Sequence, residues 1–478
     1  MRRVHTLIPG SPCRVAQGRR IEPATRATSC AQRDVKSIVS KRRISFDARK
    51  RSVHSTLACL LAVLIAIARP ALADGAPVQV LRIGTSGDYA PFSIATDAEP
   101  AFRGLDIAVA EAFAHEHGYT IEWVPFVWRD LSTDFKAGRF DVVMSGVTVR
   151  ADRSALGRFS VPVMNSGAVL IYRTQGLDPE QTPAVTLGDF NQARMRIAVN
   201  QGGHLEWVTR AHFQHATIMP IADNGEVRQQ LIDGHADAIV TDTLEAPHWL
   251  HGLTRAALLG PWTQDRKAYW FRSELADLAR RFDAWMLARE ADGTLANLRR
   301  EAVGNQRHLT TAEPVNALLA AMDERLTLMP WVAESKRAGG IAIEDLEQEQ
   351  RVLEVAVRKV NAAADRRRRE PPTALAVRDF YRAQITAAKH IQRATLVHEI
   401  TMTATAADLS SVLRPALMRI GERIAELVVT LGRLHEPADL AQYVSLAVHE
   451  RGLSSPIVSE LTRTMAALFS TARVQASP

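Results

Sequence analysis

Two patterns of hydrophobic residues divide the chain. Between Val78 and Arg307, short apolar runs alternate with segments of helical periodicity. The predicted strands are the runs VLRIGTS, TIEWVPF, FDVVMSG, AVLIYR, RIAVNQ and DAIVTD. Predicted helices include Gly104–His117, Glu226–Asp233 and Glu274–Glu290. Strands that alternate with helices predict an α/β domain.

The strand pattern ends near Leu309, where the polar segment LTTAEP predicts a short linker. Every later apolar pattern has helical periodicity. The predicted helical segments are Val315–Lys336, Glu344–Asp365, Thr373–Val397, Leu409–Leu434, Ala438–Glu450 and Ser455–Arg473. The second half is therefore predicted to be an all-α domain, and glycine or proline lies at several of the breaks.

The first residues have the features of a targeting segment. An uncharged apolar run, STLACLLAVLIAIA at 55–68, follows a basic stretch and precedes Ala71-Leu72-Ala73. This order predicts a signal peptide cleaved after about Ala73 and export to the periplasm, with no membrane association of the mature chain. The predicted organisation is a leader at 1–73, an α/β domain at 74–308, a linker at 309–314 and an all-α domain at 315–478.

Charge and cysteine content exclude several functions for the mature chain. The 478 residues have a net charge of +7, but residues 1–73 contain 15 basic and 3 acidic residues, which leaves 44 basic and 49 acidic residues in the rest. That balance argues against nucleic-acid binding. All three cysteines, Cys13, Cys30 and Cys59, lie in the leader. We therefore expect no disulfide, thiol nucleophile or thiolate metal site, and no cofactor or metal.

Three segments of the α/β region, in order, resemble the type II periplasmic solute-binding fold in its polar amino-acid-binding branch. They are LRIGTSGDYAPFSI, FRGLDIAVAEAF and KAGRFDVVMSGVTVRADR followed by FSVPV. The resemblance implies two lobes with a ligand cleft, crossed by the chain near Tyr172–Gly176 and again near Pro261–Lys267. It also implies that Arg153 binds a ligand carboxylate through two charge-assisted bonds, with Thr148 as a hydroxyl donor. The alternative is a surface arginine.

Further motifs resemble the cyclohexadienyl (prephenate/arogenate) dehydratases, exported enzymes on this scaffold. They are TSGDYAPFS, FVWRDL, NQGG, DNGEVRQQLIDGHADAIVTDTLEA and RKAY. The resemblance implies loss of water and CO2 from prephenate to give phenylpyruvate, and allows conversion of arogenate to phenylalanine. It implies that Glu245 is the general acid. The implied substrate-binding residues are Tyr89, Trp128, Thr148, Arg153, Asn200 and Lys267.

Two local features keep a second interpretation open. Asp242, at the place where amino-acid-binding relatives hold a ligand ammonium, is present together with Glu245. The dehydratases have Thr-Asn-Glu after the double glycine, whereas this chain has His204-Leu205-Glu206, and a leucine side chain donates no hydrogen bond. A glutamate in a closed, partly apolar cleft is expected to have a raised pKa, whereas a solvated helix residue is not. The alternative function is a non-enzymatic amino-acid-binding protein with a helical dimerisation domain.

The helical region resembles the exported, all-helical (gamma-class) chorismate mutases. The motifs are MDERLTLMPWVAESKRAGGIAIEDLEQEQRVL, FYRAQITAAKHIQ and DLSSVLRP. The rearrangement of chorismate to prephenate needs binding of one conformer and donors to the ether oxygen, but no proton transfer or metal. The implied donors are Lys336 and Gln392. The implied substrate-binding residues are Arg325, Asp345, Arg414 and Gln348, the last standing where the family has an arginine.

The two resemblances describe consecutive reactions, because the product of the mutase is the substrate of the dehydratase. The sequence therefore predicts a bifunctional exported enzyme of phenylalanine biosynthesis. Its expected partners are the small molecules chorismate and prephenate and, in a homo-oligomer, further copies of the chain. A dimerisation domain without activity is the alternative for the helical region.

Overall fold

The computed structural model describes residues 79–97, 101–174, 185–304, 313–397, 407–432, 434 and 436–470. These residues all belong to one unit, Ala76–Pro478. The predicted leader and most of the predicted linker lie outside the described residues. Among the helices in the described ranges, none is long and apolar enough to cross a membrane.

Strands occur before residue 273 and helices throughout. The strands are β1 (Gln79–Thr85), β2 (Asp88–Tyr89), β3 (Ser93–Ala95), β4 (Phe102–Arg103), β5 (Tyr119–Pro125), β6 (Val142–Val143), β7 (Gly157–Phe159), β8 (Met164–Ser166), β9 (Ala168–Arg173), β10 (Arg196–Asn200), β11 (Thr217–Ile221), β12 (Ala238–Asp242), β13 (Ala256–Leu259), β14 (Asp265–Lys267) and β15 (Trp270–Arg272). The helices among and directly after them are α1 (Leu105–His117), α2 (Leu131–Lys136), α3 (Ala151–Leu156), α4 (His204–His212), α5 (Asn224–Ile232), α6 (Ala246–Leu250), α7 (Ala276–Ala291) and α8 (Thr294–Val303).

Two five-stranded sheets form two lobes. The sheet of lobe one has the order β5-β1-β6-β15-β7, and that of lobe two has the order β11-β10-β12-β9-β13. In each sheet one strand, β1 or β10, pairs in parallel with both neighbours, and the last strands pair antiparallel. β12 is buried along its whole length, which fits its continuous apolar run AIV. The predicted two-lobed α/β region is confirmed.

A two-stranded ribbon connects the lobes. Met164–Ser166 pairs antiparallel with Asp265–Lys267, and each strand lies between one lobe and the other along the chain. The predicted return crossing near Pro261–Lys267 is confirmed. The predicted first crossing near Tyr172–Gly176 is wrong, because Tyr172 lies inside β9, paired with β12 and β13 in lobe two. The chain has already crossed at β8, whose three residues are too few to give a sequence pattern.

Among the described residues after 313, the regular elements are all helical, as predicted. The helices are α9 (Pro314–Thr327), α10 (Met329–Ala338), α11 (Leu346–Arg366), α12 (Ala374–Val397), α13 (Arg414–Leu431), α14 (Leu440–Ala447) and α15 (Ser455–Ser470). One predicted helix, Val315–Lys336, is divided into α9 and α10. The break falls at Leu328 because Pro330 lacks the amide hydrogen that a continuous helix would need. A π-helical turn, Leu409–Leu413, precedes α13.

Long helices α11, α12 and α13 pack side by side, and α9 packs against α13. Their facing sides carry fully buried apolar residues such as Leu318, Val360, Phe380 and Ile424. This continuous apolar stripe is what the helical periodicity of the sequence encodes. Helical packing around one core brings side chains from α9, α10, α12 and the start of α13 close to one another.

The helical region contacts the α/β region through buried charges. Asp323 of α9 accepts hydrogen bonds from Arg266 of β14 and from Arg451, the latter at 2.6 Å. Its neighbour Glu324 pairs with Arg423 of α13, which also donates to the backbone of β7. Only 5% of the Asp323 side chain is exposed, so its charge depends on these two arginines.

Replacing Asp323 with asparagine should destabilise the protein. The change leaves Arg266 and Arg451 without their buried acid, which should cost about 3 kcal/mol in the free energy of unfolding. Burial alone raises the pKa of Asp323, but Arg451 and Arg266 outweigh it and lower that pKa. The stability that the Asp323 carboxylate contributes to the wild type is therefore complete above the unfolded pKa of about 4. It is lost as the pH falls through the lower pKa of the folded state.

Urea unfolding at pH 7 and pH 3 measures this difference. Asp379→Asn, which breaks a partly exposed pair with Arg382, is the matched control and should cost less than about 1 kcal/mol. An equal effect of both substitutions at pH 7 would show that the interface charges add nothing beyond a surface pair.

Candidate functional site

A cavity of about 360 Å³ lies between the lobes. All six substrate-binding residues that the sequence suggests for the α/β region line it. The full lining, here called the cleft, is Tyr89, Trp128, Gly146, Thr148, Arg153, Asn200, Gly203, His204, Leu205, Asn224 and Lys267.

Two aromatic rings form one wall of the cleft. Tyr89 and Trp128 meet edge to face, with ring centroids 5.7 Å apart and an interplanar angle of 82°. The Trp128 indole donates to Asp88 at 3.0 Å, which fixes its orientation. Both rings are buried but line the cavity, so they are both packed and available to an apolar ring.

Arg153 is a buried cation whose charge is only partly compensated by neighbouring protein groups. It lies on α3, is 2% exposed, donates to the backbone oxygen of Thr148 at 3.0 Å, and has no partner at Nε. Burial, and then the charge of Arg150, lowers the pKa of Arg153 to about 9, so the guanidinium is still charged at neutral pH. The alternative of a surface arginine is therefore excluded, and an anion in the cleft would supply the missing partner.

Lys267 lies at the centre of a polar cluster. Its Nζ is 2.9 Å from Asp242 Oδ2 and donates to the Tyr89 hydroxyl at 2.8 Å and to Thr148 Oγ1 at 3.0 Å. The Tyr89 hydroxyl in turn donates to Asp242. These contacts join β14, which carries Lys267, to both lobes.

The lobe-two side of the cleft has polar atoms without partners. Asn200 ends β10, and its Oδ1 has no hydrogen-bond partner in the structure. His204 contacts Asp265 through Nε2 at 2.8 Å, whereas its Nδ1 has no partner. Leu205, which departs from the dehydratase pattern, lines the same side with an apolar surface. A ligand would therefore meet Asn200 and His204 as its hydrogen-bonding groups here.

Sequence reasoning missed the support of the aromatic wall. Gly146 has a φ of +63°, and a Cβ there would lie 2.5 Å from the Tyr89 ring. Its amide donates at 2.6 Å to Asp106, a fully buried acid on α1 that also accepts from Tyr269. Burial raises the pKa of Asp106 to about 7. No sequence pattern marks Asp106, because its role depends on a contact forty residues away.

Glu245 stands directly behind the cleft. It precedes α6, is 2% exposed, and accepts from Asn224 at 2.9 Å and from Thr241 at 2.6 Å. It does not itself line the cavity, and Asn224, which does, connects it to the lining. Burial, opposed by the Thr241 bond and reinforced by the charge of Asp242, raises the pKa of Glu245 well above its usual value. The alternative of a solvated helix residue is wrong.

The raised pKa of Glu245 should be visible as a pH-dependent stability. The folded state keeps this proton above the unfolded pKa of about 4.3, so Glu245 makes the wild type progressively less stable as pH rises from there towards the folded pKa. Glu245→Gln removes the titration. The free energy of unfolding of the variant minus that of the wild type should therefore increase between pH 4 and pH 8, whatever its absolute offset.

Urea unfolding across this pH range tests the expectation. Glu226→Gln, an exposed glutamate on α5, is the control and should leave the pH profile of the wild type unchanged. A difference for Glu245→Gln that stays constant with pH would mean that its carboxyl ionises normally in the folded protein.

In the helical region, the two implied ether-oxygen donors lie on adjacent helices. Lys336 lies in the last turn of α10 and donates to the Ile343 backbone oxygen at 2.9 Å. Gln392 of α12 is 5% exposed, with Nε2 3.5 Å from the Met329 sulfur and Oε1 without a partner. α10 and α12 pack against each other. The Gln392 amide thus has only a sulfur acceptor, whereas the Lys336 ammonium has a backbone acceptor.

The residues implied to bind substrate are partly assembled around Lys336. Burial, with the nearby charges of Arg414 and Lys389, lowers the pKa of Lys336 against the opposing effect of Asp345 and Glu349. Lys336 therefore shares one electrostatic neighbourhood with Asp345 and Arg414, as the resemblance implies.

Asp345 and Gln348 have structural contacts of their own. Asp345 caps α11 by accepting from the Gln348 amide at 2.9 Å. The Gln348 side chain accepts from Arg351 at 3.2 Å and is not directed to any of the other implied residues by a hydrogen bond in the described ranges. Arg351 itself is exposed and pairs with Glu347. Gln348 is thus the least integrated of the implied residues.

Helices α9 and α12 carry several buried polar atoms without partners in the described ranges. They are Arg325 Nε, both side-chain atoms of Gln384 and Oε1 of Gln392. Arg325 lies near Tyr381, and partial burial lowers its pKa. Sequence reasoning named Arg325 and Gln392 but missed Gln384, which lies eight residues before Gln392 on the same helix. Unsatisfied buried polar groups are costly, so these atoms are candidate contacts for a polar ligand.

Residues 81–305 match the family model of bacterial extracellular solute-binding proteins, family 3. This segment, here called the solute-binding domain, contains both lobes and the cleft. The match ends before α9 begins at Pro314. The predicted periplasmic-binding-protein-like fold of the α/β region is confirmed, and the helical region follows it.

Individual relatives include both an enzyme and binding proteins. Over 167 residues the chain is 36% identical to cyclohexadienyl dehydratase from Pseudomonas aeruginosa, covering 35% of this chain and 60% of that protein. Over 166 residues it is 26% identical to an L-cystine-binding protein from Escherichia coli, again covering 35% and 60%. The chain thus spans 60% of the length of these two curated relatives.

Among solved structures, the solute-binding domain is similar to an ancestral amino acid-binding protein described as a precursor of cyclohexadienyl dehydratase. The two share 28% sequence identity with a TM-score of 0.43, over 47% of this chain and 95% of that chain.

Proposed function

We propose that the solute-binding domain is a prephenate dehydratase. The observation that carries this proposal is Glu245, a buried carboxyl with a raised pKa placed one hydrogen bond behind a cleft that contains two cations. A receptor that only binds an anion needs the cations but has no use for a buried proton donor. The 36% sequence identity to a cyclohexadienyl dehydratase over 167 residues supports the same function.

The proposed reaction uses the cations for binding and Glu245 for proton transfer. Prephenate is a dianion. Arg153 would bind one carboxylate through hydrogen bonds, whereas Lys267, whose three donors already have protein partners, would attract the second carboxylate by its charge. Tyr89 and Trp128 would enclose the ring. The ring carboxylate leaves as CO2, and its bonding electrons enter the ring as the ring C–O bond breaks. For this step the Glu245 side chain has to turn from Asn224 into the cavity. The departing hydroxide then takes the Glu245 proton and leaves as water, so phenylpyruvate is formed with atoms and charge balanced.

Glu245→Gln should reduce the kcat for prephenate by a factor on the order of 100 or more, because an amide cannot supply the proton. Mutase activity of the same preparation should be unchanged and serves as the internal control for folding. Appearance of phenylpyruvate measures the first activity, and disappearance of chorismate the second.

The Asp88→Asn variant distinguishes the roles of the two acids next to the cleft, Asp88 and Glu245. Burial raises the pKa of Asp88 as well, although the bonds from Ser86 and Trp128 oppose it. If Asp88→Asn abolishes turnover while Glu245→Gln retains it, Asp88 is the proton donor and the role proposed for Glu245 is wrong.

We propose that the helical region is a chorismate mutase. The rearrangement breaks the ether C–O bond and forms a C–C bond without any proton transfer, so catalysis rests on charge and positioning. Lys336 and Gln392 would donate to the ether oxygen. Arg325 and Arg414 would bind the carboxylates. Asp345 would contact the substrate hydroxyl or orient Lys336. The unpartnered polar atoms of α9 and α12 support a polar ligand in this bundle.

Lys336→Ala should lower the kcat of the mutase by about 100-fold or more, since it removes a charged donor to the developing negative charge on oxygen. Arg337→Ala is the matched control, because Arg337 is the next residue on α10, is exposed and pairs only with Glu334 among the described residues. The rate at which chorismate disappears measures the mutase activity of both variants. Equal activity of the two variants would make the helical region an assembly domain.

The complete proposal is an exported bifunctional enzyme, located in the periplasm, that converts chorismate to prephenate and prephenate to phenylpyruvate. The description of the matched family as extracellular supports this location. The second candidate function is reversible amino-acid binding, which the L-cystine-binding relative favours. The domain limits 74–308 and 315–478 and a homo-oligomeric state are part of the proposal.

A further inference from the structure

The helix that carries Arg153 is short and ends in buried backbone. α3 has six residues, and Ser154 and Ala155 in its last turn are both buried. The last carbonyl groups of a helix have no donors within the helix itself. Buried carbonyl groups of this kind are normally paired, so those of Ser154 and Ala155 need donors from elsewhere in the protein.

The helical region supplies these donors. Arg419 of α13 donates through Nη2 to the backbone oxygens of Ser154 at 3.1 Å and Ala155 at 2.9 Å, and through Nε to that of Gly157 at 3.3 Å. Arginine side chains can pair in this way with the last carbonyl groups of a helix. The packing agrees with these bonds, because α3 contacts α9, α13 and the π-helical turn before α13. Arg419 therefore holds the end of α3 against the helical region.

The side chain of Arg153 is held less firmly than its backbone. The guanidinium donates to the Thr148 backbone oxygen at 3.0 Å, whereas its Nε has no partner in the structure. The Arg153 carbonyl, in contrast, accepts from the Trp270 indole at 3.0 Å. The position of the guanidinium in the cleft thus depends on where the backbone of α3 lies. A two-point contact to a carboxylate is sensitive to that position, because both bonds need the correct geometry.

Arg419 lies outside the segment that matches the solute-binding family, which ends at residue 305. The support for α3 is therefore supplied by the helical region and not by the solute-binding domain itself. We propose that Arg419 is a positioning residue for Arg153, so that the helical region completes the anion-binding side of the cleft. This inference rests on the dehydratase function proposed above, in which Arg153 binds a substrate carboxylate.

Steady-state kinetics of the full-length protein with prephenate test the role of Arg419. Arg419→Met removes the donors and should raise KM about tenfold, because the carboxylate contact of Arg153 is lost from substrate and transition state alike. The kcat should stay within about twofold, since Glu245 keeps its contacts in lobe two. Arg419→Lys keeps a charged donor and should restore most of the KM. Glu422→Gln is the matched control: it breaks a pair with Arg158 of β7 at the same interface and should leave KM unchanged.

A double-mutant cycle shows whether Arg419 acts through Arg153. In an Arg153→Met background, Arg419→Met should cause no further loss of kcat/KM, because the contact that it supports is already absent. An equal loss with and without Arg153 would overturn the inference and assign Arg419 to general stability. A wild-type KM for Arg419→Met would overturn it as well, while leaving the dehydratase proposal intact. If the wild-type protein does not turn over prephenate, the dehydratase proposal itself fails, and the inference with it.

Discussion

The ammonium of Lys267 joins both lobes of the solute-binding domain and the ribbon between them. It pairs with Asp242 at the end of β12 in lobe two and donates to Tyr89 and Thr148 in lobe one. A buried ion pair is tolerated only when the remaining donors and acceptors are satisfied, and here they all are. Lys267 therefore connects the aromatic wall, through Tyr89, to the end of the strand that precedes Glu245.

Strand β14, which carries Lys267, also connects the cleft to the helical region. Successive side chains of a strand point to opposite sides. Lys267 accordingly enters the cleft, whereas Arg266 reaches Asp323 of α9 on the other side. Asp323 lies two residues before Arg325, the implied carboxylate-binding residue of the bundle. One strand and one helix thus fix the positions of residues in both candidate sites.

Hydrophobic periodicity was sufficient where an element is long enough to repeat. It gave β1, β9, β12 and the long helices of the second half within a few residues of their observed limits. It failed for β8, whose three residues carry no period, and consequently the first crossing between the lobes was predicted too late. It also joined α9 and α10, since the apolar stripe continues past the proline that separates them.

The sequence by itself determined the order of the elements and the α/β-then-helical architecture, because the apolar period is a local property. The residues in the cleft were implied by the resemblance of its motifs to the dehydratases. Tertiary structure alone decided what those residues can do. Asp242 finds its counter-ion twenty-five residues away, and Glu245 is buried behind Asn224. A pKa and the availability of a charge depend on desolvation and on distances between groups, which only the folded chain defines.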